Sequence, residues 1–126
     1  MSPAAPTPDQ RAIRFRIRFT VPQPQATPFL DMLEREYVPA LAVQPGFRAA
    51  RVLSPFPEQL SDEIGAVTRP GVYELEFDFT SEAARRDWVA QPVHDRLWGR
   101  AVELSAAQEW SGFFAVAGAE STGGEG

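Results

Sequence analysis

The stretch "RAIRFRIRFT", Arg11 to Thr20, decides the fold. Ile13, Phe15, Ile17 and Phe19 alternate in it with Arg14, Arg16 and Arg18. A period of two sends one set to each side of an extended chain, so this is a strand with an apolar face and a strongly basic face. A basic strand face needs water or carboxylates against it. "VYELEFDF", Val72 to Phe79, supplies carboxylates in the same pattern, with Tyr73, Leu75, Phe77 and Phe79 on one side and Glu74, Glu76 and Asp78 on the other. If the two strands are neighbours, the stripes form complementary ladders. On a solvated face each cross-strand pair is worth about 0.2–1 kcal/mol. Under a covering subunit the pairing becomes a requirement, because removing one partner of a buried pair costs about 3–5 kcal/mol. The sequence is compatible with either arrangement.

Outward from these strands the chain alternates helical and extended signals. "QATPFLDMLEREYVPAL" offers Thr27 as N-cap, Pro28 at the first helical position, and Phe29, Leu30, Leu33 and Tyr37 at helical spacing. Pro39 is expected to kink or end that helix, and Gly46 to turn the chain into a strand over Phe47 to Leu53. "SPFPEQLSDEIGAVTRPG", Ser54 to Gly71, is eighteen residues long with three prolines, longer than the usual connection. It reads as a flap or an extended hairpin, with Phe56, Leu60, Ile64 and Val67 as apolar anchors. After the acidic strand, Thr80 or Ser81 caps a second helical region that Pro92 interrupts, and Trp110 to Val116 reads as the last strand.

The order is therefore βαββαβ, an α+β, ferredoxin-like arrangement with two helical regions over one face of a four-stranded antiparallel sheet. The two charge-striped strands are its central neighbours. The expected organisation is a flexible segment at 1–11, a single domain at 12–117 and a glycine-rich disordered tail at 118–126.

Composition removes several function classes. The chain of 126 residues has no cysteine and one histidine, which leaves no thiolate site and no multi-histidine metal centre within one chain. A net charge of −5 offers no basic face to nucleic acid or anionic lipid. No apolar run reaches the roughly 20 residues that span a bilayer, and "MSPAAPTPDQ" has no signal-peptide pattern, so a cytoplasmic location is expected. All twelve basic residues are arginine. That bias is compatible with a GC-rich coding sequence and carries no functional weight by itself.

The βαββαβ order, the run "YVPALAVQPGFRAARVL" and the run "FDFTSEAARRDWVAQPVHDRLW" together resemble the dimeric α+β barrel superfamily. The likeness is strongest to its antibiotic-biosynthesis monooxygenase and stress-responsive barrel groups. It spans about Ile13 to Val116, with Pro45-Gly46-Phe47 and the set Trp88, Pro92 and His94 as its most telling pieces. The resemblance implies a homodimer whose sheets pack through their helix-free faces, and a pocket in each subunit between helices and sheet. Haem-degrading relatives carry a polar trio that includes an asparagine on the first strand. This chain has no asparagine, and its Trp88 and His94 lie too close in sequence to match, so haem breakdown is not implied. The family's cofactor-free oxygenases act on phenols held among tryptophan, tyrosine and histidine, residue types present here.

His94 is the only side chain whose ordinary pKa lies near neutrality. Pro92, with Gln91 as cap, starts a fresh helical segment that puts His94 in its first turn, where the positive helix end favours the neutral imidazole. Such a group can accept a proton; alternatively it is a partly exposed residue bonded to a nearby carboxylate or carbonyl. Trp98 follows one turn later. The candidate site is therefore His94 as catalytic base, with Tyr37, Tyr73, Trp88 and Trp98 shaping a substrate cavity and no cofactor or metal required. The same aromatics equally serve as core filler. Two functions follow: a small cofactor-independent monooxygenase-like enzyme acting on an aromatic or polyketide-like molecule, or a non-catalytic dimeric module that binds a small apolar ligand or only assembles.

Overall fold

The structure, a computed structural model, describes residues 11–119. The expectations for the N-terminal segment and the glycine-rich tail fall almost entirely outside those residues. Strand β1 (Ile13–Thr20) leads through a short turn into helix α1 (Ala26–Met32), a π turn (Leu33–Tyr37) and helix α2 (Val38–Ala42). Strand β2 (Phe47–Leu53), helix α3 (Glu58–Ile64), strand β3 (Val72–Phe79), helices α4 (Glu82–Val89) and α5 (Pro92–Leu104) and strand β4 (Ala107–Phe114) follow. The four strands form one antiparallel sheet in the order β2-β3-β1-β4. This is the α+β, ferredoxin-like fold expected from the alternation.

The register aligns Arg14 with Asp78, Arg16 with Glu76 and Arg18 with Glu74. The stripes of the two central strands thus face each other rung by rung. Arg16 reaches both Glu74 at 2.9 Å and Glu76 at 3.0 Å, while Arg14 holds Asp78 at 2.8 Å and Arg51 of β2 approaches Glu76 at 3.7 Å. Glu76 is 8% exposed although it lies on the face that no helix covers, because the surrounding guanidinium stems shield it. The opposite face is the core. Ile17, Phe19, Leu75 and Phe79 of the sheet pack there with Phe29, Leu33, Tyr37, Leu41, Trp88 and Leu97 of the helices.

Three local expectations need correction, and a fourth, at Pro39, is resolved between its two outcomes. Thr27 does not cap α1: the chain is already turning at Pro22 to Gln25, and the helix starts at Ala26 with no side-chain cap. Pro39 distorts the helical run rather than ending it. It has no N–H, and its ring would collide with the carbonyl four residues back, so the turn before it widens and Val38 donates to the Leu33 carbonyl five residues away. The long connection contains α3, which Gly65 ends in the left-handed conformation at φ +68°. Its seven residues are too few to display a helical period. Strand β4 runs from Ala107 to Phe114, earlier than expected, because β1 supplies pairing partners from Thr20 back to Ile13. By contrast, Ser81 caps α4 as anticipated, accepting a hydrogen bond from the Ala84 N–H at 3.1 Å.

Gly46 sets where α4 lies. It turns the chain at φ +84°, its carbonyl accepts the Thr80 N–H at 2.8 Å, and an added Cβ would stand 2.8 Å from both Ala84 Cβ and Thr80 Oγ1. Such a close approach of turn to helix is open only to glycine. The joint between α4 and α5 is tied to the same region by a hydrogen bond from the Gln91 amide to Gln44.

A candidate aromatic cavity beside His94

Helices α4 and α5 pack over β1 and β3 and leave β4 largely exposed, with Trp98 of α5 meeting Trp110 there, and the gap is a cavity of about 200 Å³ between the two layers. Its floor is the apolar face of the sheet, with Phe15 and Phe77 in contact at 5.5 Å between ring centres. The far wall is an aromatic chain. Tyr37 meets Trp88 edge-on at 5.9 Å, Trp88 meets His94 edge-on at 5.3 Å, His94 stacks parallel to Trp98 at 6.4 Å, and Trp98 meets Trp110 edge-on at 5.7 Å. These offset and perpendicular geometries are those that ring quadrupoles favour.

The structure brings four of the five sequence-nominated residues, Tyr37, Trp88, His94 and Trp98, to one cavity. Tyr73 stands elsewhere. It is paired with Phe19 at the other end of the β1–β3 ladder and packs against Phe29 of α1, so α1 occupies the space that a ligand would need there. Six further residues complete the lining: Phe15, Ile17, Phe77, Arg85, Val89 and Trp110. Trp110 was foreseeable in kind, since it shares the apolar face with Ile17 across β1. Arg85 carried no sequence signal beyond its place one turn before Trp88.

His94 is half-buried, its side chain 14% exposed. Burial pushes its pKa below the ordinary imidazole value of 6.5; the Arg85 charge adds to that and Asp95 opposes it. The direction is the one expected for a helix start, but the first cause is desolvation. Asp95 lies 3.5 Å from Nδ1, yet Nδ1 is buried with no hydrogen-bond partner among the described residues. The contact is therefore electrostatic, and Nδ1 keeps its bonding capacity. The indole N–H of Trp88 is likewise buried, near the Tyr37 hydroxyl but with no hydrogen bond of good geometry among the described residues. Orphaned polar atoms of this kind cost about 1–3 kcal/mol each, and a cavity that gathers two of them is better suited to a ligand with polar edges than to pure hydrocarbon. Burial drives the Tyr37 phenol pKa well up, so Tyr37 stays protonated near neutrality and is wall rather than base. Among the described residues no cluster of three or more histidine or acidic side chains is placed to hold a metal ion.

The fold has counterparts among solved structures. The chain has the fold of the dimeric α+β barrel superfamily in its antibiotic-biosynthesis-monooxygenase-like form. Among solved structures it is similar to an asparagine-to-alanine variant of SnoaB, a cofactor-independent oxygenase from Streptomyces nogalater, at 24% identity and TM-score 0.68, covering 86% of this chain and 96% of that one. A proposed antibiotic biosynthesis monooxygenase from Caulobacter crescentus is similar at 15% identity and TM-score 0.69, covering 86% and 93% of the two chains. Another from Deinococcus radiodurans is similar at 12% identity and TM-score 0.69, covering 88% and 99%. No protein-family model matches the sequence, and no curated protein matches it.

Proposed function

We propose that the chain is a small cofactor-independent monooxygenase-like enzyme that acts on an aromatic or polyketide-like molecule, with His94 as its base. The observation that carries this reading is a neutral, half-buried imidazole with an uncommitted Nδ1 in the wall of an aromatic cavity. Its titration is depressed by burial, so the group is a free base at neutral pH, as a proton acceptor must be.

The chemistry matches that equipment. A phenol whose ring activates a neighbouring methylene becomes electron-rich enough to react with dioxygen once its proton is removed. His94 takes that proton. The resulting anion passes one electron to dioxygen, the radical pair combines into a peroxide at the methylene carbon, and loss of water leaves a carbonyl. One oxygen atom enters the product and the other leaves as water with the two methylene hydrogens, so the substrate supplies every electron. The protein contributes a dry cavity, a base and orientation.

The working unit in this reading is a homodimer joined through the helix-free sheet faces. That face presents Arg14, Arg16, Arg18 and Arg51 against Glu74, Glu76, Asp78 and Glu109, four charges of each sign. Such a face is neutral and self-complementary under a two-fold axis.

The test is oxygen uptake with 1,8-dihydroxyanthrone, corrected for autoxidation. His94→Gln keeps size and hydrogen bonding but cannot serve as base, and is expected to lose roughly 100-fold or more in turnover while staying folded. Unchanged turnover removes His94 from the reaction. Ligand binding without any oxygen uptake by the native chain would leave the non-catalytic binding module as the function.

A further inference from the structure

The cavity holds one permanent charge, and it is not an ordinary surface arginine. Arg85 lines the cavity, its side chain is 20% exposed, and its guanidinium lies over the Phe15 ring at 5.1 Å from the centre. Two carboxylate oxygens of Glu82 accept bonds from Nε and Nη2. This bidentate grip fixes the plane of the fork and turns its remaining edge, Nη1, free of any hydrogen bond among the described residues. Glu82 does not discharge Arg85 alone, since Arg86 also approaches the same carboxylate at 3.8 Å.

The neighbourhood extends the point. On the other side of Phe15 lies a second apolar hollow of about 210 Å³, lined by Glu82, Gly112 and Phe114 among others. Gly112 faces the Phe15 ring, where an added Cβ would meet it at 3.4 Å. Phe15 and the Arg85–Glu82 pair therefore form the waist between two apolar spaces. A charge clamped at an apolar waist favours a ligand with an aromatic body and an oxyanion near its middle or edge.

We propose that Arg85 is a specificity-determining residue that binds an anionic oxygen, carboxylate or phenolate, of an aromatic ligand through its Nη1 edge. The inference rests on the cavity binding an aromatic molecule, as in the function proposed above, but not on that molecule being oxidised. In the oxygenase reading, Arg85 would hold the phenolate that His94 creates.

The experiment is a binding comparison that needs no turnover. All three tryptophans line the cavity, so their fluorescence reports occupancy. The probes are 2-naphthoate and 2-naphthamide, equal in shape and different in charge. The native chain is expected to bind the carboxylate about ten-fold more tightly or better, the scale of one charge-assisted bond in a dry site. Glu82→Gln with Arg85→Met removes both charges without stranding either. In this double variant the preference should fall to about two-fold or less, with naphthamide affinity within about three-fold of native. Arg85→Lys, which keeps charge but loses the fork, should give an intermediate preference and serves if the double variant does not fold. Equal binding of the two probes by the native chain, or a preference that survives loss of Arg85, overturns the proposal. Failure of both probes to bind overturns it together with the cavity reading. A preference lost with Arg85 in a protein that takes up no oxygen upholds it and removes only the oxygenase.

Discussion

Gly46→Ala tests how tightly the turn before β2 is locked to helix α4, and Gly65→Ala is its internal control. Both glycines have left-handed backbone, at φ +84° and +68°. For an alanine that conformation costs about 1–2 kcal/mol, partly offset by about 0.4–1 kcal/mol because the unfolded alanine chain is less free. At Gly65 nothing lies within 4 Å of an added Cβ, so the net loss should stay near 1 kcal/mol. At Gly46 the same Cβ would sit 2.8 Å from both Ala84 Cβ and Thr80 Oγ1. The segment cannot simply back away, because its carbonyl accepts the Thr80 N–H at 2.8 Å. Overpacking of this kind adds about 1–3 kcal/mol, for a total of roughly 2–4 kcal/mol, a large part of a typical domain's 5–15 kcal/mol. Urea unfolding measures both variants, with the m-value checked for constancy. Any displacement of α4 also moves Arg85 and Trp88, so Gly46→Ala should weaken naphthoate binding and Gly65→Ala should not. Equal losses from the two substitutions, within about 0.5 kcal/mol, would refute the steric reasoning, since only the shared backbone cost would then be left.

Arg16→Met removes the guanidinium that bridges Glu74 and Glu76; the loss should be about 3–5 kcal/mol if a second subunit covers that face, against about 1 kcal/mol on a solvated one, read from denaturant midpoints at several protein concentrations. Light scattering at micromolar concentration should return twice the chain mass of 13.9 kDa, and a single chain mass would exclude the homodimer. Because burial lowers the His94 pKa and the neutral imidazole is the active form, activity should be flat through neutrality and fall on the acid side with a midpoint below 6.5. The same sign applies to stability: the unfolded chain takes up the His94 proton first, so this contribution is complete above 6.5 and is lost as pH falls. Asp95 raises that pKa, so Asp95→Asn should move the acid limb to still lower pH, and a shift toward neutrality would refute the assignment. In hydrogen exchange, α3 should be protected in the intact assembly if the exposed Phe56, Leu60, Ile64 and Val67 pack on the second subunit, and fast exchange throughout 54–71 would refute that packing.

Some of this molecule was legible without coordinates. Alternation in Ile13 to Phe19 and in Val72 to Phe79 determined both faces of the two central strands, and the βαββαβ order made them neighbours, so that their opposite charges face each other. Those signals are local, because a strand's period follows from backbone geometry and needs no distant partner. Ser81 and the break at Pro92 were readable for the same reason, as capping hydroxyls and missing N–H groups act within one turn. The tertiary structure decided the rest. Tyr73 and Trp110 are both aromatic residues on the inward face of strands flanking β1, yet α1 covers the first with Phe29 while α5 touches the second through Trp98 and leaves it exposed. Nothing in either strand's own sequence records where a helix from another segment stops. Arg85 shows the same limit, since on its helix it is one of two adjacent arginines, and only the packing of α4 over Phe15 makes one of them a half-buried charge and leaves the other exposed. Which face a residue takes is set by the period of its own element; which residues share a cavity is set by side-chain volumes meeting from segments far apart in the chain.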